Sequence, residues 1–488
     1  MSRWQRLGVI AGPLFVALSL LVDPPTPITP TGGLRLGLLA FAVTWWVTAP
    51  VPLAVTTLAT LALGVGLGAF TLADAFATGS SWVMWFAIGA FGMGAALEST
   101  GFNRRFALGF IGHPWVRGRP RRFLLMFLLS ATVMSGLMAN TVVAVVWLSL
   151  AMTVYRVLGI AREHPLAETN TLGIAWAANI GGVTTPVGTA TNPVAIGMIA
   201  ASTGVTISFL QWTLVGSVLA AVFLATVVVI FRVVLPQQEH AVALSDTVAF
   251  IDAERERLGP MPPAERRALA WFSVAIGLWV LPDITRFVAP GPMADAMSRN
   301  LSLVVPALLV PTAMCLTRSG ASDGRTVLSW EQWARGVDWG MVVFIGGVMA
   351  IGAAVGDAAT GVPLWLETAL TPWLGDLPEY GFVFAMAFAL ICVTSVISNL
   401  VSLALFLPLG LTLSQSLGIG DPTAVGFVLG VAPSLAYLLP SGTTTNAIVA
   451  GSGYLRVGTM VRYGAIVVVL HAALLTGIGY PLAKWVFR

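Results

Sequence analysis

Long apolar stretches, separated by short polar segments, recur along the whole chain. A membrane-spanning helix needs about 20 mostly apolar residues, whereas the strands of a membrane barrel alternate over about 10 residues. The stretches found here are continuous, and we therefore predict an all-α polytopic membrane protein. The predicted apolar segments cover roughly residues 7–22, 33–49, 51–68, 80–98, 123–157, 169–203, 207–235, 268–282, 298–316, 339–356, 380–412, 424–455 and 463–487.

The composition of the 488-residue chain supports this interpretation. Hydrophobic residues make up 57% of the chain and charged residues only 9%, whereas soluble domains contain about 25% charged residues. These values exclude a soluble cytosolic enzyme. The net charge of +4 does not indicate nucleic-acid binding, because in a membrane protein the informative quantity is the distribution of positive residues between the loops.

The basic residues predict an orientation. Segment 101–122 carries six arginines, and the polar linker 236–267 carries four more. If the N-terminus is cytoplasmic and the segments 123–157 and 380–412 both turn back, 20 of the 25 Lys and Arg residues are cytoplasmic, as the positive-inside rule requires. The loop 357–379 is then external, and it carries four acidic residues without a basic one. We predict eleven spans plus two re-entrant hairpins in the inner or plasma membrane.

Three landmarks of the first half recur in the second half, in the same order. The paired segments are Trp82–Gly89 with Trp339–Gly346, Met138–Thr141 with Ile397–Leu400, and Pro186–Asn192 with Pro440–Asn446, at offsets of 257, 259 and 254 residues. With the predicted orientation, the two copies enter the membrane from opposite sides. Such an inverted repeat is typical of secondary transporters; the alternative is a chance likeness between Gly- and Thr-rich helices.

The segments Pro186–Asn192 and Pro440–Asn446 lie inside apolar runs and combine Pro, Gly, Thr and Asn. Proline removes a backbone donor and glycine adopts unusual dihedrals, so that these segments predict helices broken at mid-membrane. Such backbone is tolerated only where it is buried in protein or lines a cavity. Its free carbonyls suit a cation such as Na⁺, and half-helix N-termini suit an anion. The alternative to two broken helices is that each segment only kinks a helix that continues through it.

The two predicted hairpins place Asn140 and Asn399 at their tips, each preceded at five residues by a hydroxyl side chain, Ser135 or Thr394. This duplication predicts that each tip contributes oxygens to an ion site. Acidic residues are scarce in the spans, whereas proton-driven carriers usually need a buried carboxylate or histidine. The pattern therefore favours coupling to a metal cation.

At these residues the chain resembles the divalent anion:sodium symporter family, which carries di- and tricarboxylates and, in some branches, sulfate. The resemblance extends over nearly the whole chain and includes Phe41–Thr48, Ala96–Gly101, Asp338–Gly340, the two hairpin tips and the two Gly-Thr loops. It implies one sodium site at Ser135, Asn140 and Gly188 and a second at Thr394, Asn399 and Gly442. The substrate contacts that it implies are Asn140, Thr141, Thr189, Ser398, Asn399 and Thr443.

The same resemblance implies a homodimer in which a mobile transport domain moves like an elevator against a scaffold. The expected scaffold is residues 1–122 and 268–379, the expected transport domain is 123–235 and 380–488, and 236–267 is the cytoplasmic linker. The tips depart from the family's Ser-Asn-Thr pattern, because Ala139 replaces a serine and Leu400 a threonine. The loss of a hydrogen-bond partner can change substrate selectivity strongly. The motif therefore does not determine which anion is bound.

We therefore expect sodium-coupled symport of a di- or tricarboxylate, with sulfate as another possible substrate. A sodium-independent exchanger on the same fold and an anion channel stay open as alternatives. An intramembrane enzyme is poorly supported, because the sequence shows no pair of buried aspartates, no Ser/His arrangement and no metal-ligand spacing.

Overall fold

The structure, a computed structural model, describes residues 2–77, 81–116, 120–157, 159–162, 164–234, 244–320 and 324–488. The helices of the first half are α1 Arg3–Leu21, α2 Pro30–Thr48, α3 Leu53–Gly66, α4 Leu72–Ala77, α5 Trp82–Ser99, α6 Phe102–Ile111, α7 Pro120–Ser135, α8 Asn140–Val157, α9 Pro165–Gly182, α10 Thr191–Thr203, α11 Phe209–Val234 and α12 Leu244–Leu258. Those of the second half are α13 Pro263–Val288, α14 Pro292–Asn300, α15 Val304–Leu316, α16 Trp330–Gly336, α17 Trp339–Val355, α18 Val362–Leu374, α19 Glu379–Thr394, α20 Asn399–Leu417, α21 Pro422–Val431, α22 Thr444–Gly451, α23 Val457–Leu474 and α24 Tyr480–Val486. These ranges contain no β-sheet beyond one isolated bridge between Arg318 and Thr326.

The predicted all-helical, multi-pass fold is confirmed. Seven helices within the described ranges are long and apolar enough to cross a membrane, and the number rises to ten if three bent helix pairs each form one span. The predicted eleven spans also include helices that this criterion of length and apolarity omits. Among them are the 14-residue α3 and the helices interrupted between α9 and α10 and between α21 and α22.

Arg35 lies within α2, in a segment predicted to span the membrane. Its guanidinium donates to the carbonyl oxygens of Ala69 and Ala354, each at 2.9 Å, and to Asp357 at 2.9 Å. These partners satisfy the charge and join α2 to the end of α17. The hydrogen bond from Arg35 holds the pKa of the Asp357 carboxyl below its ordinary value.

Helices from both halves of the chain pack together in two groups, which we call bodies. In one body, α5 packs on α15, α16 and α17, and α3 packs on α17. In the other, α10 packs on α20 and α21, while α22 packs on α8 and α9. The two bodies are also in contact, through α10 with α5 and α17 and through α17 with α20. The two halves of the chain are therefore interlocked rather than side by side.

The segment 236–267, expected to be a polar linker, contains the helix α12, which the sequence analysis did not predict. This helix packs on α6 and α8. Arg104 pairs with Glu254, and Arg105 donates to Glu265 at 2.7 Å and to the Gly259 carbonyl at 2.8 Å. The arginines after α5 thus fasten this part of the linker to the helical body.

Candidate functional site

The first predicted hairpin is present. Asn140 Oδ1 lies 2.7 Å from Ser135 Oγ, and further from the tip Trp147 Nε1 donates to Ser130 Oγ at 2.8 Å. Contacts between residues that are successively further apart in sequence show that α7 and α8 run antiparallel. Residues 136–139 form the turn between them, where the sequence analysis placed the tip.

The second hairpin has the same geometry. Asn399 Oδ1 lies 2.9 Å from Thr394 Oγ1, and a Cβ built at Gly410 would lie 3.4 Å from the Met386 side chain. Helices α19 and α20 therefore also pack antiparallel, with the turn at residues 395–398.

Each hairpin hydroxyl has more oxygen neighbours than it has protons to donate. Ser135 Oγ lies 2.7 Å from both Asn140 Oδ1 and the Ala178 carbonyl oxygen. Thr394 Oγ1 lies 2.9 Å from both Asn399 Oδ1 and the Pro433 carbonyl oxygen. A hydroxyl carries one hydrogen, so that, with the asparagine amide oxygens turned towards it, each hydroxyl faces two acceptor oxygens and can donate to only one. Both hydroxyl residues are fully buried, and a cation is the partner that such an oxygen cluster fits.

The predicted broken helices are also present, between α9 and α10 and between α21 and α22. Asn192 donates to the carbonyl oxygens of Gly182 and Thr185 at 2.8 and 2.7 Å. Asn446 donates to those of Ala436 and Leu439 at 2.9 and 3.1 Å. In both copies an asparagine in the first turn of the second half-helix thus bonds the backbone ten and seven residues earlier. The breaks start before Pro186 and Pro440, because they also include the carbonyls that these two amides satisfy.

Gly188 and Gly442 lie where each loop meets a hairpin. A Cβ at Gly188 would be 2.5 Å from the Gly182 carbonyl oxygen and 3.0 Å from that of Ser135. At Gly442 the Cβ would be 2.9 Å from the Thr394 carbonyl oxygen. Only glycine allows this approach of two backbones. Each of the two predicted sodium-site triads is therefore brought together in space.

The sequence analysis missed Asn179 in α9 and Ser434 after α21. Asn179 Nδ2 lies 3.2 Å from Asn446 Oδ1, and Ser434 Oγ lies 3.4 Å from Thr191 Oγ1. Each of these contacts joins a residue of one repeat to the loop end of the other. Asn179 and Ser434 stand 255 residues apart, within the range of the repeat offsets, and this coincidence is the signal that could have identified them.

A cavity of about 300 Å³ lies between the two tips, the two loops and helix α5, at the small end of the range of ligand pockets. All six predicted substrate contacts line it, and so do the two departures from the family motif, Ala139 and Leu400. Ser135 and Thr394 do not line it but lie behind the tips, where their hydroxyls contact the tip asparagines. Glu98, in the last turn of α5, also lines the cavity.

Comparison with known proteins gives a consistent result. The sequence model of the sodium:sulfate symporter transmembrane region matches residues 2–487. The sodium-dependent dicarboxylate transporters SdcS of Staphylococcus aureus strains USA300 and bovine RF122 / ET3-1 are each 27% identical to the chain, over 98% of the chain and 91% of the relative. The crystal structure of the YdaH transporter of Alcanivorax borkumensis superposes with a TM-score of 0.57 at 15% identity, over 99% of this chain and all of that one.

Proposed function

Because the chain belongs to the sodium:sulfate symporter family, in which it is a sodium-dependent anion transporter of the membrane, we propose that it carries a di- or tricarboxylate together with Na⁺. The observation that carries the proposal is the cavity, where both asparagine tips and both Gly-Thr loops converge. The substrate named for the SdcS relatives, a dicarboxylate, points to the same class of anion. Bound Na⁺ supplies the positive charge that the described residues of the cavity lining lack.

The tips and loops perform three tasks in this proposal. The oxygens of Ser135, Asn140, Thr394 and Asn399, with the backbone at Gly188 and Gly442, hold Na⁺. The amides of the tip asparagines and the hydroxyls of Thr141, Thr189, Ser398 and Thr443 hold the anion. Since Asn140 and Asn399 serve both ligands, binding of one orders the contacts of the other, and the two affinities are coupled reciprocally.

We further propose that the body containing both hairpins and both broken helices moves as a unit. The interlocked packing of α8, α9, α10, α20, α21 and α22 supports this, because each copy completes the other. Contacts to the remaining body include Gly197 in α10 against Val83 and Met349, and Gly352 in α17 against Met198. These contacts are apolar and close, and such a surface slides without breaking hydrogen bonds. In this proposal the remaining body is the scaffold of a homodimer, and the N-terminus is cytoplasmic.

The proposal is tested by uptake into proteoliposomes, with and without an inward sodium gradient, across dicarboxylates, citrate and sulfate. Sodium-driven accumulation of a carboxylate is the expected result, and preference for sulfate would overturn the proposed substrate class. Counterflow at an undiminished rate without sodium would instead indicate an exchanger, and conductance far above carrier turnover would indicate a channel.

Removing either hairpin hydroxyl is expected to weaken the sodium response. Ser135→Ala and Thr394→Ala each delete one oxygen from a proposed ion site, and a bond to a charged partner is worth about 1.5–3 kcal/mol. The Na⁺ concentration for half-maximal uptake should rise about tenfold or more, with less effect on expression. Thr132→Val is the matched control, because this hydroxyl contacts the Ala177 carbonyl oxygen rather than a tip. An unchanged sodium response in both alanine variants would refute the assigned sites.

A further inference from the structure

Glu98 is the one ionisable side chain among the described residues that line the cavity. It lies in the last turn of α5, and its side chain is exposed. The rest of this lining is apolar or neutral and polar. A carboxylate here repels any anion in the cavity, so that it lowers the affinity for the substrate in the conformation that the structure shows.

The first two arginines that follow Glu98 in sequence are engaged elsewhere. Arg104 pairs with Glu254 of α12, and Arg105 pairs with Glu265 and also donates to the carbonyl oxygens of Leu258 and Gly259. Neither of these guanidinium groups lines the cavity. Arg104 and Arg105 therefore do not neutralise the charge of Glu98.

Glu98 lies on the body that we propose to be stationary, on the side of the linker. The α5 residues that line the cavity run from Phe86 to Glu98, so that the cavity extends towards the C-terminal end of this helix. The next helix, α6, packs on the linker helix α12. This side carries most of the basic residues and is the proposed cytoplasmic side, which places Glu98 at the cytoplasmic mouth of the cavity.

We propose that Glu98 is a release residue, whose charge weakens anion binding only while the cavity faces the cytoplasm. The inference rests on the proposed function, because it needs a negative substrate and a moving site. When the hairpin body carries the site away from α5, the carboxylate no longer faces the anion. Affinity on the external side is then set by the tips and loops alone, whereas affinity on the cytoplasmic side is reduced by Glu98, which favours unloading.

The test compares Glu98→Gln with the wild type in right-side-out and inside-out vesicles, using succinate and citrate as the dianion and trianion. On the cytoplasmic side, the KM of Glu98→Gln should fall about fivefold for succinate and about tenfold for citrate, because a Coulomb energy scales with the charge of the anion. On the external side the KM should stay unchanged. Glu98→Asp, which keeps the charge, should behave like the wild type.

Glu256→Gln is the matched control, since it removes an exposed carboxylate of the linker helix that does not line the cavity. Equal KM shifts in the two Gln variants would overturn the proposal by indicating a general surface potential. A shift independent of anion charge, or one present on both sides, would also overturn it. A weaker sodium response with an unchanged anion KM would assign Glu98 to the cation instead. Absence of sodium-driven anion uptake in the wild type would refute the proposed function itself.

Discussion

Alanine in place of Asn399 is expected to abolish sodium-driven uptake. This side chain begins α20, lies 2.9 Å from Thr394 Oγ1 and lines the cavity, so that the substitution removes an ion contact and an anion contact together. With about 1.5–3 kcal/mol for a bond to a charged partner, the loss of kcat/KM should be about 100-fold or more. Asn140→Ala should have the same effect, because the first tip repeats this geometry. Uptake in proteoliposomes measures both.

Two further variants sharpen this test. Asn399→Asp keeps the oxygen that would contact Na⁺ but adds a negative charge beside the anion. It should therefore retain stabilisation by sodium in thermal unfolding while losing transport. Asn300→Ala removes an exposed asparagine at the end of α14 and should transport normally. Wild-type rates from Asn399→Ala would refute the role of the tip.

Leucine in place of Asn446 is expected to destabilise the fold strongly. The amide of Asn446 satisfies the carbonyl oxygens of Ala436 and Leu439, and the residue is fully buried. The Ala436 carbonyl oxygen also accepts from Asn179 Nδ2, and that of Leu439 accepts from the backbone N–H of Gly442. The substitution therefore removes two hydrogen bonds without leaving either acceptor unpaired, and at about 0.5–1.5 kcal/mol for each bond the loss is about 1–3 kcal/mol. Thermal unfolding in detergent should show the loss. Asn192→Leu should behave alike, because it removes the hydrogen bonds from this amide to the carbonyls of Gly182 and Thr185.

The matched control for this second prediction is Thr445→Val, a similar-sized change at the neighbouring buried position. It leaves the amide of Asn446 in place, and its unfolding temperature should stay near that of the wild type. If Asn446→Leu unfolds at the same temperature as Thr445→Val, the hydrogen bonds of the Asn446 amide do not stabilise the loop. This result would contradict the proposal that the loop is a rigid support for the bound ion and the bound anion.

The hairpin prediction succeeded because two independent patterns in the sequence agreed. The charge distribution required both segments to turn back, and the repeat placed Asn140 and Asn399 at equivalent positions. The linker helix α12 was missed because its sequence is polar and charged. Its ion pair with α6 joins Arg104 and Glu254, which are 150 positions apart, and no local pattern reveals such a partner.

The sequence by itself determined the membrane-embedded helical class, the two interrupted helices and the identity of the paired residues, because hydrophobic length and residue type act locally along the chain. Only the tertiary structure decided that Asn179 reaches Asn446, that each hydroxyl has two oxygen neighbours, and that Glu98 faces the cavity. These features arise where helices far apart in sequence pack together. The direction of a side chain there is set by its neighbours across the interface rather than by its position in a motif.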